Sequence, residues 1–231
     1  MKPWEVLARA PVPGGKGEFV LHHRDGEFVI RVNGLELMSS RVHGSEEELA
    51  RRGCEGLRAT PGARVLVGGL GLGYTLRATL DVLAEDAQVV VAELAPAIVA
   101  WNQGPLAPLA GEPLKDGRVR VETADVKRVM RGGGPWDAIL LDVDNGPSGL
   151  TQPSNAGLYD SAGLATAHAA LKPGGVLAVW SASPDERFTR RLEQAGFTAE
   201  LHSSRAGKGR GTRHTLFLAR RRRAKRQGSA L

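Results

Sequence analysis

An α/β fold built on a mostly parallel sheet is predicted by three features of the 231-residue sequence. From Ala63 onward, short runs of Val, Leu, Ile and Ala alternate with helical segments. Four of these runs (Arg64-Val-Leu-Val-Gly, Gln88-Val-Val-Val-Ala-Glu, Arg118-Val-Arg-Val-Glu and Trp136-Asp-Ala-Ile-Leu-Leu-Asp) read as strands, and uninterrupted apolar stretches such as Val89 to Ala92 and Ala138 to Leu141 are those of strands covered on both faces. The first leads straight into a glycine-rich turn, Gly68-Gly-Leu-Gly-Leu-Gly-Tyr-Thr75, that opens a helix.

The elements follow in order. Residues 18–38 read as a β-meander, because Glu18-Phe-Val-Leu-His and Glu27-Phe-Val-Ile-Arg-Val alternate around the hairpin-type turn Arg24-Asp-Gly. Ser45 followed three positions later by Glu48 reads as a capping box for a helix to about Arg58, ended by Thr60-Pro-Gly. After the fourth strand come a helix over 161–171, a Lys172-Pro-Gly-Gly turn, the strand Val176-Leu-Ala-Val-Trp and a helix over 184–195. Strands near 197–202 and 214–219, joined by a Gly/Arg-rich loop, are expected to close the sheet as an antiparallel pair.

Charge divides the chain. The net +6 combines a stretch, 201–231, with ten cations and no acid, and a body of 200 residues with 21 cations and 25 acids. Basicity is therefore a C-terminal property. The run from Arg220 can neutralise phosphates but carries no aromatic to stack on bases, so a solvated, disordered tail over 220–231 is expected, with RNA binding as a weak alternative. No apolar run is long enough for a membrane span or a signal peptide, and the single Cys54 forms no internal disulfide, which together predict a soluble cytoplasmic protein. The six histidines are scattered without metal-ligand spacing, so no metal is expected. Trp180-Ser-Ala-Ser lacks the flanking glycines of a hydrolase nucleophile elbow. Cys54 is expected in the core, and Trp101-Asn102 in helix packing rather than beside a ligand.

The turn through Gly69, Gly71 and Gly73 leaves backbone N–H groups at a helix start open to a polar or anionic ligand. Twenty residues after Gly73, Glu93 ends the second strand, where a carboxylate can accept from both hydroxyls of a ribose. Together these point to a nucleoside-containing cofactor. Tyr74 stands where a dinucleotide fingerprint needs its third glycine, which argues against a dinucleotide.

The order of motifs resembles the spermidine synthase-like family of class I S-adenosylmethionine-dependent transferases. The resemblance spans roughly 18–220 and rests on Gly69 to Thr75 with Leu76-Arg77, Glu93, Ala124-Asp125, Trp136 to Asp142, Leu158-Tyr159 and Leu171-Lys-Pro-Gly-Gly175. It implies a Rossmann-like class I methyltransferase fold with a seven-stranded sheet, preceded by a small β element over 1–44. The transferase domain would cover 45–219. It further implies that Glu93 binds the ribose hydroxyls, that Asp125 accepts from the adenine amino group with Val126 packing nearby, and that Asp142 faces the reacting centre. A homodimer is the expected assembly.

An acid at Asp142 suits the chemistry. A sulfonium is attacked by a neutral nucleophile, so an amine acceptor must shed a proton and its developing charge needs a counter-charge. Asp144, two residues on, is a second candidate, and Tyr159, after the turn-rich loop 145–157, could line the substrate pocket or anchor the next helix. Three departures bear on the reaction. Spermidine synthases carry an Asp where this chain has Leu72, Asp-Ser-x-Asp-Pro where it has Asp142-Val-Asp-Asn-Gly146, and Tyr-His-Glu where it reads Gly44-Ser-Glu-Glu-Glu. Losing the loop acid would admit the carboxylate of S-adenosylmethionine itself. The leading expectation is thus methyl transfer from S-adenosylmethionine to a small amine. The alternative is aminopropyl transfer from decarboxylated S-adenosylmethionine to a diamine.

Overall fold

The computed structural model describes residues 2–143, 146–148, 156–205 and 212–223. Four strands come first: β1 (Glu5–Pro11), β2 (Glu18–Arg24), β3 (Glu27–Val32) and β4 (Leu35–Ser39) form an antiparallel sheet in that order. The meander is as expected, but β1 carries no clear alternation and lies largely exposed at the edge, which is why its sequence gives little signal.

Helix α1 (Gly44–Cys54) follows, then β5 (Arg64–Gly68), α2 (Tyr74–Val82), β6 (Gln88–Glu93), α3 (Pro96–Gln103), β7 (Val119–Thr123), α4 (Val126–Gly133) and β8 (Trp136–Leu141). The chain continues through α5 (Ala156–Tyr159), α6 (Ser161–Ala170), β9 (Leu171–Ser181), α7 (Glu186–Gln194), β10 (Phe197–Arg205) and β11 (Arg213–Arg221). The second sheet runs β10-β11-β9-β8-β5-β6-β7, with β11 antiparallel to both neighbours and the other pairs parallel. This is the expected seven-stranded sheet closed by an antiparallel pair.

Both faces of the sheet are buried. Along β5, Val65 and Val67 join Leu49, Leu76 and Leu140 on one face, while Leu66 joins Ile139, Leu141, Phe188 and Phe217 on the other. Polar spacing is therefore absent from the central strands. Three expectations are adjusted. Lys172-Pro-Gly-Gly is not a separate turn but the irregular start of β9, where the register against β8 shifts and Gly174 takes φ +85°. Ser45 does not cap α1, whose N-cap is His43, and Glu48 bonds to Arg51 and Arg52 instead of reaching back. Arg220 and Arg221 belong to β11 rather than to a tail, and the Arg221 guanidinium donates to the Leu171 carbonyl. The remainder of the basic tail, 224–231, lies outside the described residues.

Candidate active site

Strand order reverses at β5. The chain runs from β5 outward to β6 and β7, then returns to place β8 on the other side of β5. In an open α/β sheet the crevice beyond the strand ends at such a reversal is where ligands bind. Gly68 ends β5 and Asp142 follows β8, and the two segments are tied there by the Asp142 N–H donating to the Gly68 carbonyl at 2.9 Å.

The glycine turn fits this corner for steric reasons. Gly69 has φ +85°, and a Cβ on it would lie 2.4 Å from the Asp142 carbonyl oxygen, so no side chain fits. Gly73 caps α2 in the left-handed region at φ +88°. Gly71 passes under Met38 of β4, which brings the N-terminal sheet over the turn. Asn102 of α3, buried, donates to the Gly71 carbonyl at 2.8 Å and so tethers the loop from below. The packing role expected for Trp101-Asn102 thereby acquires a specific content, which local sequence pattern does not reveal.

A cavity of about 780 Å³ opens above the turn, between the N-terminal sheet and the ends of β5, β6 and β8. Gly69, Gly71, Glu93, Asp125, Val126 and Asp142 all line it, so these predicted residues converge on one space. Gly73 is not on the wall and acts through the cap. Glu93 is held by two backbone donors, Leu70 N–H to Oε2 at 2.9 Å and Ala95 N–H to Oε1 at 2.8 Å. Those bonds fix its carboxylate between the turn and the start of α3. Asp125 caps α4 by accepting from the Lys127 N–H at 2.7 Å and stands exposed at the rim, with Val126 buried beside it.

Two predicted residues stand elsewhere. Tyr159 is buried against Phe188, with ring centroids 5.7 Å apart, and its hydroxyl donates to the Val143 carbonyl at 3.3 Å. It is not among the residues that line the cavity. Asp144 lies outside the described residues, as does most of the loop 145–157.

Asp142 sits deep in the cavity. The Thr75 hydroxyl of α2 donates to its Oδ2 at 2.5 Å, yet burial outweighs that bond and pushes its carboxyl above the usual carboxylate range. Opposite it is Glu46, a cavity residue that sequence pattern marks only as part of a helix start. Burial and the Asp142 charge both raise its proton affinity, against a hydrogen bond from Ser45 that lowers it. Among the described residues neither acid is paired with Lys or Arg. Half-buried like charges that raise each other's proton affinity hold less than two full negative charges unless a cation enters. A signal for Glu46 existed, since it follows Gly44-Ser at the point where the resemblance calls for Tyr-His-Glu. Leu72, also on the wall, is 5% exposed and presents an apolar side chain there.

Comparison with solved structures bears on the fold. A spermidine synthase from Thermotoga maritima superimposes with a TM-score of 0.73 at 16% identity, over 93% of this chain and 72% of that one. The fold is that of the spermidine synthases. A spermidine synthase in complex with the transition-state analogue AdoDATO gives 0.71 at 16% identity with the same coverage. A probable spermidine synthase from Corynebacterium glutamicum gives 0.59 at 18%, over 91% and 79% of the two chains. No protein-family profile and no curated protein sequence matches the chain. Among the described residues no helix is long and apolar enough to cross a membrane, and no group of three His, Cys, Asp or Glu is placed to hold a metal.

Proposed function

We propose that the protein transfers an alkyl group from an S-adenosyl cofactor to an amine, and that the group is aminopropyl, from decarboxylated S-adenosylmethionine. The observation that carries this reading is the Glu46–Asp142 pair, two half-buried carboxylates with no Lys or Arg partner among the described residues, on the wall of a cavity that also holds the glycine turn and Glu93. Such a pair is stabilised by a cationic ligand, and an amine acceptor together with the cofactor's own ammonium supplies one. Aminopropyl transfer replaces methyl transfer as the leading reading because two acids facing one space suit polyamine-type ligands.

The cavity fits the cofactor. Glu93, fixed by Leu70 and Ala95, would accept from the ribose hydroxyls, Asp125 would accept from the adenine amino group, and the Gly69-to-Gly73 turn admits the cofactor closely because no Cβ intrudes. The cofactor, when bound, supplies a carbon on a sulfonium sulfur that an amine can attack. The protein's part is proton handling and charge. Asp142, oriented by Thr75, accepts from the attacking amine and offsets the charge that develops on its nitrogen. The Asp142–Glu46 pair shares that proton, since the raised proton affinity of both carboxyls brings each nearer the range in which a carboxylate can take it. Glu46 takes over the cationic end that the loop acid holds in spermidine synthases.

A second reading, methyl transfer from S-adenosylmethionine, is favoured by Leu72, which offers nothing to an ammonium and does not repel a carboxylate. Titration calorimetry with each cofactor separates the two. Aminopropyl transfer predicts at least tenfold tighter binding of the decarboxylated form, about 1.4 kcal/mol. Preference for S-adenosylmethionine would move the assignment to methyl transfer.

A further inference from the structure

From Glu46 a hydrogen-bonded chain runs through Ser45 to Trp180 and His214, which line the same cavity farther along its wall. The Ser45 hydroxyl donates to Glu46 Oε2 at 2.7 Å and lies 2.9 Å from His214 Nδ1 of β11, while the Trp180 indole N–H of β9 donates to the same Ser45 oxygen at 3.0 Å. Ser45 is fully buried, and the Trp180 and His214 rings pack with centroids 4.6 Å apart. Helix capping is not what this serine does, and the proposed chemistry at Asp142 does not use it.

Counting donors fixes what this chain of groups can do. A hydroxyl has one proton and two acceptor positions, and an indole N–H can only donate. Trp180 therefore occupies one acceptor position permanently. One proton and one acceptor position remain to be shared between Glu46 and His214. The hydroxyl either donates to an ionised Glu46 and accepts from a His214 Nδ1–H, or accepts from a protonated Glu46 and donates to a bare His214 Nδ1.

We propose that Ser45 and His214 form a proton relay that empties Glu46 during turnover. Glu46 protonated by the acceptor amine passes its proton to Ser45 Oγ as the Ser45 proton moves to His214 Nδ1. The carboxyl becomes carboxylate and the imidazole becomes imidazolium, with no net gain or loss of protons between them. The imidazolium then releases the Nε2 proton to solvent from a half-buried ring, and tautomer exchange resets it. The charges that act on Glu46 are Asp142, which follows β8, and Glu47 of α1, both of which favour its protonated form. Tyr74 of α2 also faces it, and the Glu46 charge helps to keep that phenol neutral. Burial lowers the proton affinity of His214. Ser45 and His214 are thus positioning residues that act through Glu46. The proposal rests on transfer to an amine.

The test uses the full-length chain and two readouts. By NMR, with His214→Gln to assign the ring, the titration of His214 should move by about half a pH unit or more in Glu46→Gln relative to wild type, and Ser45→Ala should abolish that response. In turnover assays with decarboxylated S-adenosylmethionine and a diamine, His214→Gln keeps a side chain able to bond Ser45 but unable to titrate. It should lower kcat about 10- to 100-fold with KM within about twofold, and flatten the pH limb that wild type shows. An unchanged kcat and pH profile in His214→Gln, or a His214 titration indifferent to Glu46→Gln, would overturn the relay. If wild type turns over neither cofactor, the transfer reading fails by itself, while the NMR coupling still decides whether the proton path exists.

Discussion

Replacing Glu46 with Gln should make the protein more stable and less active, and the size of the gain should depend on pH. Gln keeps the shape and can still accept from Ser45, so the change removes charge and little else. In the folded chain burial and the Asp142 charge raise the Glu46 carboxyl above its unfolded value. A carboxyl raised in this way favours the folded state while it is protonated, and that contribution is lost as pH rises from the ordinary carboxylate range toward neutrality. Wild type therefore carries a penalty at pH 8 that Glu46→Gln lacks. A tenfold difference in proton affinity between the folded and unfolded chain is worth about 1.4 kcal/mol, and with allowance for coupling to Asp142 and partial hydration the gain at pH 8 should be about 1–3 kcal/mol. That corresponds to several degrees in Tm for a chain of this length, at about 2–4 °C per kcal/mol. Urea unfolding at pH 8 and pH 4 measures it, and the difference should shrink toward zero at about pH 4. Equal stability of the two proteins at pH 8, or the same gain at both pH values, would refute the picture of a repulsive half-buried pair.

Other perturbations probe the remaining parts. Gly69→Ala places a Cβ 2.4 Å from a backbone oxygen at a positive φ, so it should cost about 2–4 kcal/mol in urea unfolding and abolish cofactor binding by calorimetry. Thr75→Val removes the donor to Asp142, whose carboxyl should rise further, moving the acid limb of the kcat profile to higher pH and lowering kcat about tenfold at pH 7. Leu72→Asp restores an acid to the turn and should tighten decarboxylated S-adenosylmethionine while weakening S-adenosylmethionine, by about tenfold each in calorimetry.

What the sequence made legible was whatever depends on local pattern. The apolar runs of β5, β6 and β8 are continuous because both sheet faces are covered, and Gly69 is glycine because the Asp142 carbonyl leaves no room. Glu93 and Asp142 could be placed because each ends a strand at the crevice. Hidden from the sequence was everything assembled from distant segments. Ser45 followed by Glu48 has the local form of a capping box, yet its hydroxyl is taken by Trp180 and His214, 135 and 169 residues away. Glu46 was marked only by standing where the resemblance calls for Tyr-His-Glu, and its pairing with Asp142 could not be read because that acid comes from a distant part of the domain. Asn102 looked like a helix residue and holds the glycine turn.

The central claim is aminopropyl transfer, and the measurement closest to it is product analysis after incubating the wild-type protein with decarboxylated S-adenosylmethionine and a diamine. The account predicts methylthioadenosine and an aminopropylated amine in equal amounts, both lost in Glu46→Gln. Absence of methylthioadenosine, with S-adenosylhomocysteine formed from S-adenosylmethionine and the same amine, would contradict it.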